Sequence, residues 1–287
     1  MGGSEVAEVR SEIVEAGGVR SPLLEAGPRE ASEAVVFVHG NPGSSRDWED
    51  LVRRVGAHAR ALALDHPGYG RADKPTDFPY TVAGYASHLA QALERLGVER
   101  AHLVLHDFGG AWGLAWGAAN PERFASATLI NTGILRDYRW HLPARLWRIP
   151  LIGELGMATA TRSAFRFLVG FRNPRPLPRA FVDRMYEDFD WGTRKAVLRL
   201  YRATDLGAMD DLATALEPLR RPALVIWGRH DPYLPVAYAE RQREVFPEAE
   251  VVVLDGSGHW PFVDEPEEVA GALTPFLERV MSSWFRA

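Results

Sequence analysis

Three residues with reactive side chains stand at the ends of short apolar runs, each in a loop rich in Gly or Pro. They are Asp107 in His106-Asp107-Phe108-Gly109-Gly110, Asp231 in Gly228-Arg229-His230-Asp231-Pro232, and His259 in Gly256-Ser257-Gly258-His259-Trp260. A carboxylate, ionised near neutral pH, can attack an sp3 carbon that bears a leaving group and form an ester with the protein. A histidine steered by a second carboxylate can then activate the water that hydrolyses that ester. Each residue also has a plainer reading: Asp107 as a helix N-cap, Asp231 as a turn residue before Pro232, His259 as a ring satisfied within its loop. Weak singly, the three are strong together.

The elements that must position them can be read from the apolar pattern. Leu103 to Leu105 meets His106-Asp107 and is followed by two glycines and a helix-like stretch to about Ala119, the strand, sharp turn and helix that lift a nucleophile above a sheet. Ala34 to Val38 and Ala61 to Leu64 are further buried strands, ending in His39-Gly40 and in Asp65-His66-Pro67-Gly68. Ala127 to Ile130, Ala223 to Trp227 and Val251 to Leu254 complete the series. Glu8 to Ala26, broken at Gly17-Gly18, reads as an opening hairpin. From Thr81 to Leu96 apolar residues recur at helical spacing behind a Thr81 N-cap, and a last helix is expected from about Pro266 to Phe285. This alternation predicts a mostly parallel sheet flanked by helices, with ligands at the C-terminal strand ends. Between about Arg136 and Leu216 there is no convincing strand. That gives a core of residues 1–135 and 217–287 and an all-helical cap of residues 136–216, which would exclude water and shape the pocket.

The 287 residues carry a formal charge of −5 without long runs of one sign, so neither nucleic acid nor an anionic membrane is expected as partner. Small neutral substrates suit that balance. The absence of cysteine removes disulfides, thiolate zinc sites and a Cys nucleophile, and fits a cytoplasmic location. Met1 to Glu5 shows no signal-peptide pattern, Val6 breaks the myristoylation pattern, and no apolar stretch reaches membrane-spanning length. The histidines show no metal-ligand spacing, so neither metal nor other cofactor is expected.

Five segments, His39-Gly40-Asn41-Pro42, Asp65 to Gly70, His106 to Gly110, Gly228 to Asp231 and Gly258-His259-Trp260, resemble the α/β-hydrolase superfamily, specifically its epoxide hydrolase and haloalkane dehalogenase branch. The order nucleophile, acid, His agrees. The resemblance covers nearly the whole chain, the cap least. It implies an α/β-hydrolase fold, a covalent ester on Asp107, Asp231 orienting His259, and an oxyanion hole from the backbone N–H groups of Asn41 and Phe108. It also implies a cis Asn41-Pro42 bond.

An opening epoxide needs an acid for its alkoxide, which related epoxide hydrolases draw from two lid tyrosines, whereas related dehalogenases hold the halide with an Asn after His-Gly and a Trp after the nucleophile. Asn41 matches the dehalogenase pattern, but Phe108 replaces the Trp and its ring has no N–H. Leu200-Tyr201-Arg202 resembles the epoxide hydrolase lid, making Tyr201 the candidate acid, with Tyr138 or Tyr186 as a differently placed partner. His39, Trp140, Trp191 and Trp260 are candidate pocket residues. The leading expectation is an epoxide hydrolase that makes vicinal diols from a small, apolar substrate and water. The alternatives are a haloalkane dehalogenase with the same three residues and a binding protein that has lost turnover.

Overall fold

The computed structural model describes residues 7–282 and 284. The expectations placed on residues 1–6 and on Phe285 lie outside the described residues. An antiparallel pair comes first, β1 (Arg10–Ala16) and β2 (Val19–Ala26), turning on Gly17 and Gly18, whose φ of 58° and 74° suit glycine. There follow β3 (Glu33–Val38), α1 (Glu49–Gly56), β4 (Arg60–Leu64), α2 (Val82–Arg95), β5 (Arg100–His106), α3 (Phe108–Ala119) and β6 (Phe124–Ile130). Six helices then run without a strand: α4 (Leu142–Arg148), α5 (Ile152–Ala158), α6 (Arg162–Val169), α7 (Arg179–Asp188), α8 (Trp191–Ala203) and α9 (Ala208–Leu216). The chain returns to the sheet with β7 (Ala223–Gly228), α10 (Ala237–Arg241), β8 (Glu250–Leu254), α11 (Pro261–Asp264) and α12 (Pro266–Val280).

The eight strands form one sheet in the order β1-β2-β4-β3-β5-β6-β7-β8, antiparallel at β1, β2 and β4 and parallel from β4 to β8. This is the α/β-hydrolase fold. Strands β3, β4, β6 and β7 are buried at every residue, because helices cover both faces of a parallel sheet, and that burial is why they read as unbroken apolar runs. Helix α2 begins where expected: the Thr81 hydroxyl oxygen accepts from Gly84 N–H at 3.1 Å, and Tyr85, Leu89 and Leu93 are buried. Helix α12 stops at Val280, short of the expected end. Met281 is extended, and the Ser282 hydroxyl donates to Glu33 at 2.7 Å, drawing the chain toward the start of β3.

The helical insertion is tied to the sheet domain by polar contacts on several helices. Arg184 of α7 pairs with Asp47 at 2.7 Å, Asp188 with Arg46, and Arg199 of α8 donates to the carbonyls of Thr76 and Phe78 at 2.7 Å each. Helix α9 packs on α3. No helix among the described residues is long and apolar enough to cross a membrane.

Candidate active site

Asp107 sits between β5 and α3 with φ 50° and ψ −126°, a backbone conformation that costs a non-glycine residue about 1–3 kcal/mol. Its neighbours hold it there. The Asp107 carbonyl accepts from Gly110 N–H at 3.0 Å and from the Thr132 hydroxyl at 2.5 Å. The loop after β3 comes so close that a Cβ on Gly40 would lie 2.3 Å from Asp107 Cβ, and one on Gly109 would lie 2.3 Å from the Val38 carbonyl. Glycine at 40 and 109 is therefore what lets two strand ends share one site.

The two oxygens of the Asp107 carboxylate have different surroundings. Oδ1 accepts from Asn41 N–H at 2.7 Å, next to a cis Asn41-Pro42 bond. Oδ2 stands 3.6 Å from His259 Nε2. Phe108 opens α3, so its N–H belongs to the first helical turn, whose donors have no partner within the helix. On the far side of the ring, His259 Nδ1–H donates to Asp231 Oδ2 at 2.7 Å. The other Asp231 oxygen accepts from Tyr233 N–H at 2.7 Å and Leu234 N–H at 2.9 Å.

Asn131, at the end of β6, completes this frame. Its amide donates to Asp231 Oδ2 at 2.5 Å and to the Gly258 carbonyl at 3.1 Å, and its oxygen accepts from Gly228 N–H at 2.8 Å. One side chain thus links the loops after β6, β7 and β8. His106 Nε2 bonds the His259 carbonyl at 2.8 Å from beneath, and burial lowers its pKa to about 4, leaving a neutral ring.

Burial disfavours charge on both Asp107 and His259, yet the pair charges anyway. For Asp107 burial pushes upward, but the hydrogen bond and charge of His259 hold the carboxyl below its usual range. For His259 burial pushes downward, and the Asp231 charge with the Asp107 hydrogen bond raises the ring well above an ordinary imidazole. The resting site is an imidazolium between two carboxylates.

A cavity of about 210 Å³ opens onto Asp107 and His259, walled by Asn41, Tyr201, Tyr233 and Trp260 and by apolar residues of the insertion such as Met157, Phe165, Leu168 and Val197. A smaller one, about 50 Å³, lies on the other side of Tyr201 and His141 and touches Phe108, Tyr138 and Trp140. The Tyr201 oxygen accepts from Asn41 Nδ2 at 3.3 Å, and burial beside Asp107 raises its pKa far above the ordinary phenol value. His141 borders both cavities. Its Nδ1 accepts from Ala144 N–H at 3.2 Å as the N-cap of α4, and burial lowers its pKa to about 4, so the neutral ring carries its proton on Nε2.

Asp107, Asp231, His259, Asn41 and Tyr201 therefore come together, with Phe108, Tyr138, Trp140 and Trp260 on the cavity walls. Three other candidates do not. His39 is buried beneath the site, donating from Nδ1 to the Gly40 carbonyl at 2.8 Å while Nε2 accepts from His66 N–H at 3.0 Å, and it borders neither cavity. Tyr186 turns its hydroxyl to the Ala160 carbonyl at 3.3 Å and packs its ring on Phe165, outside both cavities. Trp191 is 58% exposed. Asn131, His141 and Tyr233 were missed. For Asn131 the signal existed, since Asn131-Thr132-Gly133 follows an apolar run as the other site loops do.

Known proteins resemble this chain over most of its length. A cis-3-alkyl-4-alkyloxetan-2-one decarboxylase from Xanthomonas campestris pv. campestris is 29% identical, covering 91% of this chain and 93% of that protein. A haloalkane dehalogenase structure from Agrobacterium tumefaciens superposes with TM-score 0.82 at 25% identity, covering 95% of this chain and 97% of its own. An epoxide hydrolase structure superposes with TM-score 0.81 over 96% of this chain and 100% of its own, at 17% identity a likeness of fold. Residues 33–266 match the alpha/beta hydrolase fold family, and the chain belongs to that family.

Proposed function

We propose that the protein is an epoxide hydrolase that makes a vicinal diol through an ester on Asp107. The Tyr201 hydroxyl carries this reading. Because its oxygen accepts from Asn41, its own proton is free to point at a substrate oxygen, and its raised pKa keeps that proton in place. The neutral His141 Nε2–H supplies the second oxygen-side donor expected from Tyr138 or Tyr186.

Oδ2 of Asp107 attacks a ring carbon, the C–O bond breaks, and the alkoxide takes the Tyr201 proton. Esterification removes one of the two carboxylates that raise the pKa of His259, so the imidazolium gives its proton back to Tyr201 and becomes a neutral base, still oriented by Asp231. It then takes a proton from water as the hydroxide adds to the ester carbonyl. The oxyanion forms on Oδ1, which Asn41 N–H already meets at 2.7 Å, with Phe108 N–H as the expected second donor, each such donor being worth about 3 kcal/mol. Collapse releases the diol, protonated by His259. The Asp107 carboxylic acid returns its proton to the ring, and the ion pair is restored.

A second reading uses the same attack. The oxetan-2-one acted on by the Xanthomonas relative is also a strained C–O ring, and that relative's 29% identity extends over 91% of this chain. A halide suits the site less well, because the Asn41 amide is engaged by Tyr201 and Phe108 has no side-chain donor. Parallel assays with a terminal epoxide, a bromoalkane and a β-lactone separate the three. Diol from the epoxide without bromide release from the bromoalkane is expected, and bromide alone overturns the proposal.

A further inference from the structure

The exposed apolar surface is concentrated on the helical insertion. Nine of the ten large apolar side chains left exposed among the described residues lie between Leu142 and Trp191, the tenth being Ile13. Leu151 is 82% exposed, Phe167 72%, Leu142 67% and Leu155 65%. Helix α4 packs on α5, and the Phe167 and Phe171 rings lie 6.0 Å apart at the end of α6. The cavity joins these helices: Gly156 and Leu168 line it, while their chain neighbours Leu155 and Phe167 face outward at its rim. Large apolar side chains left exposed and concentrated on one part of the chain mark a contact with something outside it.

Charge identifies the contact. Residues 136–216 contain fourteen Arg and Lys and nine Asp and Glu, a net charge of +5, which leaves −10 for the rest of the chain. Between Leu142 and Arg179 seven arginines face one acidic residue, Glu154. Arg145 spends its Nε on the Trp140 carbonyl and Arg172 lies over the Phe171 ring, and neither has a carboxylate within ion-pair distance among the described residues. The whole-chain charge of −5 averages over this division and conceals it. A second copy docked symmetrically through the same face would set one arginine-rich surface against another. Leu and Phe side chains standing among unpaired arginines match the surface of a bilayer that contains anionic lipid.

We infer that the insertion adsorbs peripherally to an anionic lipid surface through α4, α5 and the end of α6, placing the rim of the cavity at the bilayer. The adsorption stands apart from the ring-opening chemistry and is measured without substrate. The full chain is sedimented with phosphatidylcholine vesicles, with and without phosphatidylglycerol, at low and raised salt. Binding only to the anionic vesicles, weakening as salt rises, is expected. In Leu151→Glu/Leu155→Glu that binding should fall by about tenfold or more, as two apolar contacts are lost and two repulsive charges gained. Ile13→Glu, on the sheet domain, should bind as the parent does, and thermal unfolding of each variant checks that it is folded. Equal binding to neutral vesicles, no binding to either, or unchanged binding by Leu151→Glu/Leu155→Glu overturns the inference. So does sedimentation equilibrium showing a dimer that this double variant dissociates.

Discussion

Asn41 Nδ2 donates to the hydroxyl oxygen of Tyr201 at 3.3 Å, joining the loop after β3 to α8 across the mouth of Asp107. The contact holds the phenol by its oxygen and leaves its proton uncommitted, as the proposed acid role requires. Replacing Tyr201 with Phe keeps the ring, which packs edge-on against Phe108 at 5.1 Å, and removes the proton. The rate of ester formation should fall by about 10²–10⁴-fold, as expected for loss of a general acid. Rapid-quench measurement of the ester in a single turnover checks this, and an unchanged rate would assign proton delivery elsewhere.

His259→Gln should separate the two chemical steps. Asp107 still attacks, but no base activates water, so the ester accumulates. Intact-protein mass spectrometry after mixing with an epoxide should show one adduct, and peptide mapping should place it on Asp107. Unmodified protein would contradict the covalent route.

Asn131→Leu should weaken both stability and ester hydrolysis. The substitution strips partners from Asp231, from Gly228 N–H and from the Gly258 carbonyl, and an unsatisfied buried group costs about 1–3 kcal/mol. Urea titration reads the stability. Pre-steady-state kinetics should show ester breakdown slowed more than ester formation, because Asp231 orients the ring used in the second step.

Stability should fall on mild acidification. Burial lowers His88 and His106 to about 4, while unfolded rings titrate near 6.5. Between those values the unfolded chain binds more protons, so the contribution is complete above about 6.5 and is lost as pH falls toward about 4, on the order of 3 kcal/mol for each ring. His259 has the opposite sign: its raised pKa stabilises the fold below the ordinary imidazole range, and that term disappears only as pH rises through the raised value. Urea midpoints compared at about pH 7.5 and about pH 5 should drop at the lower pH, and equal midpoints would refute the assignment.

What could be read in advance followed from local chemistry. Asp107, Asp231 and His259 announce themselves because each polar group ends an apolar run, and the sheet that produces those runs also gathers their ends. Positions set by packing between distant segments left no such mark. The direction of the Tyr186 hydroxyl depends on Ala160, and the burial of His39 depends on His66. The proton position on His141 left no mark either, because it follows from capping α4, a contact made by geometry. Leu151 and Leu155 carry the periodicity of a buried face, and only the three-dimensional arrangement leaves that face uncovered.

Besides the imidazole, the Asp231 carboxylate accepts from Tyr233 N–H, Leu234 N–H and the Asn131 amide, three contacts that do not depend on the ring. Under the proposed mechanism, a protein lacking the His259 ring should keep these contacts and serve as a capture reagent. Offered a mixture, it retains the compound it can open, and the mass gained names the bond that broke. An epoxide or a β-lactone adds its whole mass, while a haloalkane adds its carbon skeleton and leaves the halogen behind. The natural substrate could then be identified by weighing it on Asp107.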